Sequence, residues 1–190
     1  MSGDNLHETK SPAASRGVIS RTCNRIPLTI RSIIYYFLFL AFILGLTPWA
    51  AHWAGKHLPW HFEIGWGRTL GWIILSVTYV LYTAASVILM RRGRGAYVEF
   101  DPPAEFVATG PFQWCRNPIA ACVLGMILGE ALAFSSTGVM LLFLVGLPLA
   151  HLQVVRLEEP LLEQRFGQDY RDYKRSTPRW IPRLSKRKPS

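Results

Sequence analysis

Two polar clusters stand at the ends of apolar runs in this 190-residue chain, and their residue types suit the binding of a charged small molecule. The first lies in GPFQWCRNPIAACVLGMILG, residues 110–129, where Arg116, Asn117 and Pro118 lead straight into an apolar stretch. Asparagine is a favoured residue just before a helix and proline is pre-shaped for the first helical position, so a helix is expected to begin here. Its first amide groups have no acceptor within the helix, and together with the helix dipole they attract an anion such as a carboxylate. Arg116 adds a fixed positive charge at the same mouth. The second cluster opens HLQVVRLEEPLLEQRFGQDYRDYKRSTPRWIPRL, where Arg156, Glu158 and Glu159 emerge as an apolar run reaches its end. Acidic residues at such a depth need a partner or water. On its own the first cluster is better read as an ordinary capped helix with an arginine left on the cytoplasmic side, and the second cluster is what favours a binding site.

The elements that must position these residues are membrane helices. Half of the chain is hydrophobic, and the apolar residues are bunched into long runs. Residues 33–51 and 69–90 carry no charge, and about 19 such residues suffice to cross a ~30 Å hydrocarbon core. Two further runs come later, 117–134 interrupted by Glu130 and 137–155 interrupted by Pro148 and His151. The expected fold is all-α: a multi-pass membrane bundle of about four transmembrane helices. Leu162, Phe166, Tyr170 and Tyr173 then form an apolar stripe at helical spacing, best explained by packing onto the membrane or the other helices, which predicts a C-terminal interfacial helix on the cytoplasmic face. Gly167 is a weak point in it, and Pro178 and Pro182 end regular structure.

The basic residues set the orientation. Of 21 Lys and Arg, only Lys56 and Arg68 fall between the first two spans, and the rest flank the opposite ends. Cytoplasmic flanks retain such residues, so both termini are expected in the cytoplasm, and at the inner membrane if the source is bacterial. The net charge of +9 is then a topological signal and an attraction to anionic membrane lipids. Nucleic acid is not an expected partner, because the aromatic residues lie in or beside the spans rather than on a basic surface. Residues 1–30 form a polar tail expected to be disordered and without a signal-peptide pattern, residues 31–184 the membrane domain, and 185–190 a basic tail. Cys23, Cys115 and Cys122 lack metal-ligand spacing, and His57 and His61, beside Trp53 and Trp60, fit an interfacial belt better than a metal site. No phosphate-binding loop or dinucleotide fingerprint is present.

At DPPAEFVATGPFQWCRNP and RLEEPLLEQRFGQDYRDYKRSTPRWIP the chain resembles the integral-membrane methyltransferases that include isoprenylcysteine carboxyl methyltransferases and phospholipid N-methyltransferases. The resemblance runs over roughly residues 65–184: a Gly-Pro-aromatic turn, Arg-Asn-Pro opening a helix, a Glu-Glu pair, Phe-Gly, two tyrosines and Pro-Arg. Ala120 and Phe112 stand where the family commonly has tyrosine. The resemblance implies S-adenosylmethionine bound at the cytoplasmic membrane face by a part spanning about 97–184. The carboxylate of that cofactor would suit Arg116, Asn117 and Pro118, and its ammonium Glu158 or Glu159, with Glu158 favoured by analogy. Phe106, Val107 and Phe112 would wall the nucleoside. Arg156 and Glu159 are the candidates on the acceptor side, Arg156 to orient the acceptor.

The implied reaction asks little of side chains as acids or bases, since a sulfonium is already an activated methyl donor. A carboxylate acceptor needs no proton removed, whereas an amine must be neutral to attack. With no histidine in the matched motifs, O-methylation of an isoprenylcysteine-type carboxylate on a lipophilic or lipid-linked acceptor is slightly favoured over N-methylation. The alternative is a non-catalytic membrane scaffold or ligand-binding protein that kept the fold.

Overall fold

The computed structural model describes residues 27–59, 63–93 and 104–182. The polar N-terminal tail, His61, the DPP of the first motif and the basic C-terminal tail lie outside the described residues.

Helix α1 is one continuous rod: Leu28–Leu40, a π-helical segment Ala41–Leu46, and Thr47–Gly55. The wider turn has a local cause. Pro48 has no N–H for the carbonyl four residues back and its ring crowds that carbonyl, and the loosened turn makes room for it. Thr47 Oγ1 recovers one bond by donating to the Phe42 carbonyl at 3.0 Å, the kind of side-chain compensation a helix in lipid requires. Helix α2 is Gly67–Gly93, α3 is Pro118–Ala133, α4 is Thr137–Gln153, and a π-helical segment Val154–Glu158 carries α4 into α5, Glu159–Ser176. No strand occurs among the described residues.

Two of the rods, Thr29–Gly55 and Gly67–Gly93, and the run that begins at Thr137 are long and apolar enough to span a membrane. Helix α3 is apolar but has only 16 residues, about 24 Å at 1.5 Å per residue. It is shorter than the run 117–134 suggested, because Phe134, with ψ near 0°, and Ser135, at φ 48°, turn the chain at its far end. Ser136 then caps α4 by accepting from the Val139 N–H. Little of each long helix is buried within the protein. Phe37, Leu38, Val80, Val145 and Leu149 are exposed, and apolar surface on this scale is covered by lipid. The chain is an all-α membrane helix bundle.

Helix α3 lies at the centre, shielded by the others. Leu40, Tyr82, Cys122 and Met126 form one buried cluster where α1, α2 and α3 meet, and the Tyr36 and Thr83 hydroxyls pair across it at 2.7 Å. Close approach is built from small residues. A Cβ at Gly129 would lie 2.7 Å from the Leu75 backbone nitrogen, one at Gly71 2.3 Å from that of Ala133, and one at Gly55 2.6 Å from that of Gly138. Without hydrophobic contrast between helix and lipid, such backbone proximity is a main source of helix association. Glu130 is buried in α3 at 4 % exposure. It lies 12 residues beyond Pro118, about 18 Å along the helix, so it belongs to the interior near the far end and not to the mouth at Arg116.

Helix α5 breaks at Gly167, the weak point its sequence contains. Gly167 has φ 58° and ψ −124°, and the helix folds on itself there, so that Lys174 Nζ meets Glu163 Oε2 at 3.3 Å. Eleven residues along a straight helix would separate them by about 16 Å. The stripe turns inward: Tyr170 and Tyr173 are buried and Phe106 packs against Phe166, Tyr170 and Tyr173 at 5.2–6.1 Å between ring centres. Gly167→Ala has open space for its methyl but must hold a left-handed backbone. It is expected to lower stability by roughly 1–2 kcal/mol, read as a lower thermal midpoint in detergent with unchanged helix content.

Candidate functional site

The site is built where α3 begins. A short 3-10 turn, Gly110–Gln113, brings the chain off the end of α2, and Val107 and Phe112 seat that turn against Ala85, Ile88 and Leu89. Shortly after it α3 starts at Pro118 with Asn117 before it, as the residue types require. The Asn117 side chain does not cap the helix, however. Its Nδ2 donates to the Arg179 carbonyl at 3.2 Å, because residues 177–182 cross this mouth as a strap. The Arg116 N–H donates to the Pro178 carbonyl at 2.9 Å, and the Cys115 thiol lies 3.3 and 3.2 Å from the carbonyls of Arg179 and Trp180. Tyr173 donates its hydroxyl to the Phe112 carbonyl, tying α5 to the turn. At the far end of the strap, Trp180 Nε1–H donates to His151 Nδ1 at 3.1 Å.

Glu159 lies at the centre of this arrangement, 2 % exposed. Arg179 grips it with two bonds, Nε to Oε1 at 2.7 Å and Nη2 to Oε2 at 3.0 Å. Arg116 Nη1 is 3.1 Å from Oε1 and Lys174 Nζ 3.7 Å from Oε2. Burial pushes the Glu159 carboxyl up, but the Arg179 hydrogen bond and the charges of Arg116, Arg179 and Lys174 outweigh it and hold the group below the usual carboxylate range. Burial also raises the Cys115 thiol, against the lowering effects of a backbone bond from Asn117 and the Arg116 charge. One carboxylate facing three cations leaves local positive charge in excess. Arg116 is itself buried, and its Nε and Nη1 have no hydrogen-bond acceptor among the described residues. Nη1 stands within ion-pair distance of Glu159 but not in line for a hydrogen bond. A buried guanidinium with unmet donors fits a carboxylate, and the adjoining Glu159 fits an ammonium. The donor set therefore suits the zwitterionic end of an amino-acid-bearing cofactor.

The fold brings Arg116, Asn117, Pro118 and Glu159 together. Glu158 and Arg156 sit to one side: Glu158 is half-buried and accepts from Gln153 Nε2 at 3.1 Å, and Arg156 is exposed. The π-helical segment Val154–Glu158 precedes Pro160, whose missing N–H and ring a wider turn accommodates. It also shifts the register of α5, so that Glu159 is the inward member of the pair. Phe106 joins the aromatic cluster of α5 rather than standing with Val107 and Phe112 on α2. Two open hollows flank the mouth. One of about 340 Å³ is lined by Arg91, Arg92 and residues 105–109. The other, of about 390 Å³, reaches Glu159 between Val155, Pro160, Glu163, Arg171 and Lys174. Arg179, Lys174 and Tyr170, whose hydroxyl neighbours Arg116, are not among the site residues the sequence suggests, where Tyr170 figures only in the apolar stripe. The signal for Arg179 was present: a buried acid demands a cation, and the Pro-Arg pair supplies one.

The phospholipid methyltransferase family matches residues 66–169, from the start of α2 into the folded half of α5, and the chain belongs to that family. It is 33% identical over 89 residues to the nickel-cobalt-cadmium resistance protein NccN of Alcaligenes xylosoxydans xylosoxydans, covering 47% of this chain and 41% of that one. It is 24% identical over 174 residues to the cobalt-zinc-cadmium resistance protein CzcN of Cupriavidus metallidurans, covering 92% and 72%. It is 30% identical over 134 residues to the methanethiol S-methyltransferase of Mycobacterium tuberculosis, covering 68% and 50%. The chain thus spans half or less of the length of two of these three relatives.

Proposed function

We propose that this protein is an S-adenosylmethionine-dependent membrane methyltransferase working at the cytoplasmic face, with both termini in the cytoplasm and, given its bacterial relatives, in the inner membrane. The observation that carries the reading is the buried Arg116, with donors unmet, beside Glu159 at the start of α3, inside the segment that matches the family. In this reading Arg116 and the first turn of α3 take the cofactor's carboxylate, with Asn117 and Pro118 shaping that turn. Glu159 takes the ammonium, favoured over Glu158 by its burial beside Arg116. Val107, Phe112 and the Phe106 cluster form the apolar wall. When bound, the sulfonium supplies an already activated methyl group. The chain's own part is to hold that group in line with the acceptor and keep water away, and Arg156, an exposed residue, is the candidate to orient an acceptor arriving from the bilayer.

The acceptor is proposed to be lipophilic or lipid-linked, with an isoprenylcysteine-type carboxylate slightly ahead of an amine, because no histidine falls within the matched motifs. A thiol is the further class to include, since one relative is named for S-methylation of methanethiol. The alternative, a ligand-binding bundle without transfer, draws on Ala120 and Phe112, where two hydroxyls are missing.

Arg116→Lys tests the cofactor site. It keeps the charge and removes the planar fork that can serve both Glu159 and a carboxylate. We expect at least roughly tenfold weaker S-adenosylmethionine binding by titration calorimetry, about 1.4 kcal/mol, with little change in thermal midpoint. Equal affinity in the two proteins would remove Arg116 from the site.

A further inference from the structure

We propose that the strap 177–182 is a latch over the mouth of α3, and that Arg179 must leave Glu159 before a ligand's α-ammonium can occupy that place. The inference rests on the cofactor reading and adds to it how the site opens. The two-point contact of Arg179 with Glu159 is the grip a ligand ammonium would need, and an internal guanidinium already holds it. The strap also covers the other half of the site, since the Pro178 carbonyl takes the Arg116 N–H and the Arg179 carbonyl takes the Asn117 amide.

The strap is built to let go. Regular structure stops at Ser176, and Thr177 is extended, at φ −116° and ψ 129°. Beyond Thr177 the strap has no helix or sheet ladder; it is anchored by isolated side-chain and backbone contacts, one each to Arg116, Asn117 and His151 and two each to Cys115 and Glu159. The Arg179 side chain is 28% exposed while that of Glu159 is 3% exposed, so the guanidinium reaches in from the solvent side and can withdraw the same way. When it withdraws, Glu159 keeps Arg116 and Lys174 as partners. The carboxylate is therefore never left alone in the interior, a condition that would otherwise oppose opening strongly.

Cys115 reports the latch directly, because its thiol is capped by two strap carbonyls and is 3% exposed. The experiment is N-ethylmaleimide labelling of the full chain in detergent without added cofactor, with Cys115 followed by peptide mass spectrometry and buried Cys122 as the internal reference. Arg179→Gln is expected to label at Cys115 at least fivefold faster than the parent, with Cys122 unchanged. It is also expected to bind S-adenosylmethionine at least threefold more tightly, since a competing cation has been removed. Unchanged Cys115 labelling would overturn the latch. Faster labelling with weaker cofactor binding would overturn the displacement, showing Arg179 to be a ligand-holding residue. Faster labelling with no binding in either protein would leave the latch standing and sink the cofactor reading instead. Should Arg179→Gln fail to fold, Trp180→Phe removes the N–H bond to His151 and trims the ring that packs on that imidazole at the strap's far end; it is expected to raise Cys115 labelling at least twofold, and no rise would overturn the proposal.

Discussion

Glu159→Gln is expected to release the strap and the folded end of α5 while the membrane helices stay inserted. The carboxylate is 2% exposed and holds Arg116, Arg179 and Lys174 on three different parts of the chain. Glutamine has the same shape but no charge, so the buried Arg116 guanidinium would be left without compensation. Breaking a buried ion pair from one side costs about 3–5 kcal/mol, comparable to the sum of the few hydrogen bonds of about 1 kcal/mol each that would still hold the strap. Limited proteolysis should cut the variant within 168–182 under conditions where the parent resists, with unchanged membrane extraction. Glu158→Gln, which removes a half-buried group bonded to Gln153, should resist as the parent does. Acid should reproduce the effect. Glu159 is held below its ordinary value of 4.5 when folded, so its contribution is complete above that value and is lost as the pH falls through the lower folded value. Proteolytic sensitivity of the strap should therefore rise on acidification below about pH 4.5 and stay flat between about pH 6 and about pH 8. A Glu159→Gln protein as resistant as the parent would contradict the role given to this cluster.

Gly129→Val is expected to disrupt the platform on which the site stands. The first side-chain carbon alone would lie 2.7 Å from the Leu75 nitrogen and 2.9 Å from its Cα. Both are backbone atoms that cannot rotate aside, so α2 and α3 must separate along the interface that also holds Gly71 against Ala133. Overpacking a well-filled interior costs about 1–3 kcal/mol, occasionally more, and with backbone on the opposing side the upper end is expected, about 3 kcal/mol. The measurement is the thermal midpoint of the purified protein beside that of Gly146→Val, where the nearest atom is a Leu124 side-chain carbon at 3.7 Å. Gly129→Val should fall well below both the parent and the control. Equal midpoints for the two variants would mean that α2 and α3 do not pack this closely.

Local chemistry made much of this arrangement legible from sequence. Uncharged runs marked the helices, Asn117-Pro118 marked the start of α3, and Gly167 marked the point where α5 folds, because each depends on residues close in the chain. What escaped depends on distant partners. Asn117 looked like a side-chain cap, but its amide turns to a carbonyl 62 residues away, which no local pattern encodes. The choice between Glu158 and Glu159 hinges on a π-helical segment that offsets the register by about one residue, and an ideal helix read from the sequence has no such offset. Arg179 appeared only as one half of a Pro-Arg pair, since its partner lies 20 residues earlier across a fold in the helix. The length of α1 was also under-read. Its helix continues past the apolar run through His52 and Trp53 to Gly55, held there by the Gly55–Gly138 approach and by His52 Nδ1 against Ser136 Oγ at 2.9 Å.

The central claim is methyl transfer from a cofactor held at Arg116 and Glu159, and transfer of isotopically labelled methyl from S-adenosylmethionine tests it most directly. Purified protein in detergent would be incubated with an extract of bacterial membrane lipids, with a prenylated cysteine carrying a free carboxylate, and with a small thiol. Protein-dependent label is expected in an organic-extractable product from at least one of these acceptors, inhibited by S-adenosylhomocysteine and reduced at least tenfold in Arg116→Lys at a cofactor concentration well below saturation. Saturable binding of the cofactor with no label in any acceptor, or label that Arg116→Lys transfers as well as the parent, would contradict it.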